Sequence, residues 1–123
     1  MSWLRKFVSR FKKPKALYPE SLWNVSAGKA GFRAIDQTGK TTFVSRDDLS
    51  FVAIATDESG PWGADVWWLL HRADGQLACG FPQGASGEKS VLDALMALPG
   101  FDHNKMIEAM SCTSNAIFVV RRR

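Results

Sequence analysis

A β-hairpin decides the fold of this chain. It consists of Asp65-Val66-Trp67-Trp68-Leu69-Leu70-His71-Arg72, the turn Asp74-Gly75 and the returning run Gln76–Phe81. Asp-Gly between two apolar runs is a strong hairpin signal, because Gly readily takes the positive φ that tight turns require. Successive side chains of a strand point to opposite faces, so Trp67 and Trp68 lie on opposite sides of the sheet. Since both faces of this strand are apolar, we expect the sheet to be packed on both sides.

Further strand signals precede this hairpin. Leu22–Val25 is apolar and aromatic, and residues 32–45 read as two strands around the turn Gln37–Lys40. Leu49–Thr56 is a nearly continuous apolar run, which predicts a central strand. Residues 56–63 contain two Gly and a Pro and therefore predict a loop.

The hydrophobic period changes to that of helices after Pro82. Apolar residues recur at helical spacing over about 87–97, with Ser86 as the expected N-cap. A second short helix is predicted from Asp102, its cap, to near Cys112, and Ala116–Val120 reads as a last strand. The chain of 123 residues suits one domain. We predict an α+β domain over residues 21–123: an antiparallel β-meander, two short helices and a final strand.

Residues 1–20 form a separate basic arm and linker in this interpretation. At 100° per residue, five apolar side chains fall within an arc of about 140°, and the basic side chains fall on the opposite side. Pro14 and Pro19 end the periodic segment. The apolar set is Trp3, Leu4, Phe7, Val8 and Phe11, and the basic set is Arg5, Lys6, Arg10, Lys12 and Lys13. The arm is therefore predicted to be a basic amphipathic helix.

The charge is distributed unevenly along the chain. The formal net charge is +4, but residues 16–120 hold seven basic and twelve acidic side chains, a net charge of −5. The basic character thus belongs to the arm and to Arg121–Arg123. No apolar run approaches the roughly 20 residues of a membrane-spanning helix, and no secretory signal is apparent. Two cysteines, far apart, favour a reducing environment.

Three motifs resemble a family of small uncharacterised bacterial proteins. They are Thr56-Asp57 through Gly60-Pro61, Asp65–Leu70, and Leu98-Pro99-Gly100-Phe101-Asp102. The resemblance implies a bacterial, cytoplasmic setting and carries over no catalytic residue. The order of a meander followed by a helix is also similar to pleckstrin-homology-like and GRAM-like domains, although a second helix and a final strand depart from that pattern.

The predicted domain of residues 21–123, here called the body, contains few candidate catalytic or binding residues. Asp57 and Glu58 are adjacent carboxylates beside Trp62, and together with Trp67 and His71 they are the expected rim of any pocket. The segment Gly84–Ser90 only partly matches a phosphate-binding loop, because Glu88 stands between Gly87 and Lys89. A Cys–His pair has no sequence support, and no residues have metal-ligand spacing. We expect no cofactor and no metal.

The sequence favours a non-catalytic binding or adaptor domain over an enzyme. The arm would attach it to an anionic membrane surface, on the inner face of the membrane, or to a protein partner, including a second copy of the chain. One alternative is a nucleic-acid-binding protein that uses the arm and the Arg tail. Another is a small enzyme or ligand binder with its site near residues 57–62.

Overall fold

A three-stranded antiparallel sheet begins the part of the chain that the structure describes. The computed structural model describes residues 22–60, 63–112 and 114–122. Strands β1 (Asn24–Ala27), β2 (Gly31–Ile35) and β3 (Thr41–Ser45) pair in that order. The predicted turn between β2 and β3 is confirmed: the Asp36 carboxylate accepts the Thr38 N–H at 2.8 Å and the Lys40 N–H at 3.0 Å.

A four-stranded antiparallel sheet holds the deciding hairpin. It consists of β4 (Leu49–Gly60), β5 (Gly63–Arg72), β6 (Leu77–Pro82) and β7 (Ala116–Arg122), in the order β6-β5-β4-β7. The predicted central position of the Leu49 run is confirmed, because β4 lies between β5 and β7. The predicted loop over residues 56–63 is wrong for most of its length. Thr56 pairs with Val66 of β5 and with Ala116 of β7, and beyond it Asp57 and Gly60 pair with β5 alone.

Two helices follow β6 along the chain. They are α1 (Glu88–Met96) and α2 (His103–Met110). The Asp102 cap is confirmed, since its side chain accepts the Lys105 N–H at 2.9 Å. The Ser86 cap is wrong: Gly87 is the N-cap of α1. Backbone groups of Ser86 instead bond to Trp23 and Val25, which joins the start of α1 to β1.

The three-stranded sheet and the end of α2 lie against one face of the four-stranded sheet, here called the inner face. The Cys79 Sγ lies 4.0 Å from the Thr42 carbonyl oxygen of β3. The Thr56 hydroxyl donates to the Ser114 carbonyl after α2. The inner face carries Val52, Ile54, Thr56, Trp68, Leu70, Cys79 and Phe81, all of them buried. The same hydrophobic core includes Phe32 and Val44 of the three-stranded sheet, Val91 and Leu95 of α1, and Ala109 of α2.

Replacing Gly87 with Ala should destabilise the protein much more than replacing Gly39 with Ala. Both glycines have φ near +90°, which costs an L-residue about 1–2 kcal/mol. A Cβ at Gly87 would also overlap the Val25 carbonyl oxygen, whereas the space around Gly39 is open. In urea titrations we expect G39A to lose about 1 kcal/mol of unfolding free energy and G87A about 3 kcal/mol. Equal losses would mean that the β1–α1 junction yields to the extra methyl group.

Candidate functional site

The outer face of the four-stranded sheet, opposite the inner face, is the candidate site. Strand register arranges its side chains in three rows that cross the strands. The first row is Leu77, His71, Phe51 and Arg122; the second is Gly80, Leu69, Ala53 and Val119; the third is Pro82, Trp67, Ala55 and Ile117. The Arg122 guanidinium lies over the Phe51 ring, 5.6 Å from its centroid. Two of the four residues in the middle row are Gly80 and Ala53, so the face is shallow there and bordered by rings on either side.

A groove of about 380 Å³ opens on this face. Its lining is almost wholly apolar and comes from all four strands and the β5–β6 turn. The lining residues are Phe51, Ala53, His71, Gly75, Leu77, Ile117 and Val119. A concave apolar surface with few polar groups is suited to apolar side chains or an acyl chain and offers little for acid–base chemistry.

His71 forms part of the first row and is buried. Its ring stacks on Phe51, with centroids 4.3 Å apart and planes 7° from parallel. Burial lowers the pKa of His71 below its ordinary value of 6.5, and a backbone hydrogen bond at Leu69 opposes this shift without cancelling it. The imidazole is therefore neutral near pH 7 and serves the groove as a flat, largely apolar wall.

Trp67 occupies the opposite end of the outer face. Trp23 packs against it edge to face, with ring centroids 5.6 Å apart and planes at 87°. Since Trp23 immediately precedes β1, this pair brings the beginning of the described chain to the outer face.

The predicted pocket rim is not brought together as one site. Trp67 and His71 share the outer face but stand two rows apart. Asp57 lies in β4, opposite Asp65 of β5. His71 is six positions beyond Asp65, or about 20 Å along β5. The Glu58 side chain and Trp62 lie outside the described residues. An enzyme site that combines Asp57 with His71 therefore has no geometric support.

The arm residues proposed to bind a membrane or partner also lie outside the described residues. They are Trp3, Leu4, Arg5, Lys6, Phe7, Val8, Arg10, Phe11, Lys12 and Lys13. The Arg tail, by contrast, is partly described. Arg121 is buried at the end of β7, where its guanidinium donates to the carbonyl oxygens of Pro99 and Leu49. Its positive charge therefore interacts with backbone carbonyl groups inside the body.

The other candidate residues of the body are buried or form hydrogen bonds within the protein. Cys79 faces the interior, where burial raises the pKa of its thiol to about 11, while His71 lies on the opposite face of the sheet. Hydrogen bonds with Ser114 lower the pKa of the Cys112 thiol, whose Sγ is 3.4 Å from the Ser114 hydroxyl. In the segment Gly84–Ser90, which partly matches a phosphate-binding loop, the Glu88 carboxylate accepts a hydrogen bond from the Gly84 N–H at 3.1 Å. This amide is therefore already bound to a carboxylate of the protein itself.

Sequence reasoning found Trp67 and His71 but missed their neighbours Phe51, Ile117 and Val119. The missing information was the register of β4 with β7, which no local pattern contains. Alternation within Leu49–Thr56 does place Phe51, Ala53 and Ala55 on one face. That signal could have identified the floor of the groove, but not the strand beside it.

No family model, no curated protein and no solved structure matches this chain. The resemblances drawn from its motifs therefore stay predictions. Within residues 22–60, 63–112 and 114–122, no three His, Cys, Asp or Glu residues lie close enough to hold a metal ion. Over the same ranges, no helix has the length and apolar character needed to cross a bilayer.

The burial of His71 should make stability depend on pH below about 6.5. In the unfolded chain His71 takes up a proton near that pH, whereas the folded protein resists protonation until a lower pH. The free energy of unfolding should therefore fall as pH falls from 6.5 towards the folded pKa, by at most about 1.4 kcal/mol per pH unit. Urea titrations of wild type and His71→Phe at several pH values isolate this contribution. Parallel pH dependences would contradict it.

Proposed function

We propose that the protein is a non-catalytic binding domain attached to an anionic membrane surface by its basic N-terminal arm. The observation that carries this proposal is the angular separation within residues 3–13, where an apolar stripe with three aromatic rings opposes five basic side chains. Helices of this type lie in the plane of a bilayer interface, with the stripe inserted and the charges at the headgroups. At about 1.5 Å per residue, the arm is about 18 Å long and suits the surface of a membrane.

The charge pattern supports reversible attachment. Each Lys or Arg near an anionic leaflet contributes about 1 kcal/mol, so the five basic residues of the stripe's opposite side, together with Lys15, give an upper limit near 6 kcal/mol before any insertion. The body, with its net charge of −5 over residues 16–120, is repelled by the same leaflet. Attachment would therefore depend on the arm, with the body held away from the surface.

The described residues support a binding role over catalysis. The outer face carries an apolar groove, and its histidine is neutral and stacked on Phe51. Neither Cys79 nor Asp57 lies beside His71. The groove is a surface for apolar contact, and a protein partner that docks there is compatible with membrane attachment through the arm.

Binding to nucleic acid is less well supported. The arm would neutralise phosphates, but an apolar stripe of five side chains adds nothing to phosphate binding. The Arg tail contributes less than its composition indicates, because Arg121 is committed to Pro99 and Leu49.

Full-length protein should co-sediment with anionic but not neutral liposomes, and the fragment 16–123 should not bind either. Replacing Phe7 and Phe11 with Ser should abolish binding, and Lys12→Glu with Lys13→Glu should weaken it at least tenfold, because each reversal replaces an attraction by a repulsion. The double variant Lys29→Glu/Lys40→Glu is the matched control, since it makes the same charge change on exposed residues of the body.

The result against the proposal is liposome binding that persists in the fragment 16–123, or that is absent from every form. A polynucleotide titration distinguishes the alternative. Binding to nucleic acid that survives Phe7→Ser/Phe11→Ser and weakens steeply with salt would assign the arm to phosphates instead of lipids.

A further inference from the structure

We propose that the groove on the outer face is the docking site of the chain's own N-terminal segment, residues 1–13. The apolar stripe would then have two competing partners, the sheet and the membrane. This inference deepens the proposed function and rests on it for the membrane half, whereas the docking itself can be tested alone.

The first support is the burial of the middle row of the outer face. Leu69 has no exposed surface and Ala53 only 1%, although both point to the outer face. The residues paired with Leu69 are Ala53 and Gly80, which are too small to cover a leucine. Among the described residues, Trp23 lies on this face at the Trp67 end. The proposal assigns residues 1–13 to the middle row, between Trp67 and His71.

The second support is the path of the chain. Outside the described ranges, one long segment is left, residues 1–21, beside three gaps of one or two residues. Trp23 already lies against Trp67 on the outer face. Residues 14–21 can span up to about 26 Å at about 3.3 Å per residue, which is enough to bring residues 1–13 over the groove without crossing the sheet.

The third support is the match of dimensions. Three strand spacings of about 4.8 Å make the sheet about 14 Å wide, against about 18 Å for a 12-residue helix. The first and third rows of the outer face are four residues apart along a strand, or about 14 Å. That leaves room above the shallow middle row for a helix about 10 Å across.

The chemistry of the two surfaces also matches. Trp3, Phe7 and Phe11 are the kind of side chain that an apolar groove between aromatic rings accommodates, and burial of such rings is a large favourable contribution. The five basic side chains would face solvent in the docked form. An anionic surface would meet those charges first, and transfer of the stripe into the bilayer would uncover the groove for another apolar partner.

Cross-linking tests the docking directly. The pair Val8→Cys/Val119→Cys, in a Cys112→Ser background, places one thiol on the stripe and one in the groove. A short bis-maleimide should join them within one molecule at high yield, as seen by peptide mass spectrometry. The control pair Val8→Cys/Phe43→Cys uses an exposed position on the three-stranded sheet and should give at least tenfold less product. Equal yields, or no product from the groove pair, would overturn the proposal.

Liposome affinity tests the competition. Val119→Lys weakens the apolar groove and should raise the affinity of the full chain for anionic liposomes about tenfold, while Phe43→Lys should leave it unchanged. If Val119→Lys fails to fold, Leu77→Lys at the groove edge replaces it. A groove-specific cross-link without any liposome binding would uphold the docking and refute the membrane function. Liposome binding without that cross-link would uphold the membrane function and refute the docking. Unchanged affinity in the groove variants would refute the competition.

Discussion

The apolar character of both faces of β5 is the constraint on which the rest of the structure depends. Trp68 and Leu70 point to one side of the four-stranded sheet, and Trp67 and Leu69 point to the other, and all four are buried. A sheet of this kind cannot leave either face in water without exposing a large apolar area. The three-stranded sheet and the end of α2 lie against the inner face. The proposed docking of residues 1–13 would cover the outer face, and it would connect the fold of the body to the proposed function of the arm.

On the proposal, the arm would exchange between two environments. A stripe of aromatic and aliphatic side chains is stabilised by removal from water, and both an apolar sheet face and a bilayer interface would provide that environment. The basic side chains would be compatible with both positions but would gain energy only at an anionic surface. Release of the arm would expose the groove beside His71 and Val119, so attachment of the protein and availability of its groove would be linked.

Local patterns in the sequence were enough for most of the elements and failed where distant partners decided the outcome. The Asp74-Gly75 hairpin, the central position of β4 and the Asp102 cap follow from short-range chemistry and are confirmed. Thr56 and Asp57 read as loop residues, yet β5 and, at Thr56, also β7 hold them in a strand. Ser86 read as a cap, but its backbone is bound to β1. The groove depends on the register between β4 and β7, so only His71 of its lining could be found in advance, with Trp67 on the same face. Arg121 read as part of a basic tail because its acceptors, the carbonyl oxygens of Pro99 and Leu49, are distant in sequence.

The most direct test of the central claim is a comparison of amide NMR spectra of the full chain and the fragment 16–123. If the arm covers the outer face, its removal should shift resonances of Phe51, Ala53, Leu69 and Val119, while those of the exposed strand edge around Phe43 stay in place. Spectra that superimpose over β4, β5 and β7 would show that the arm does not cover the sheet and would contradict the account.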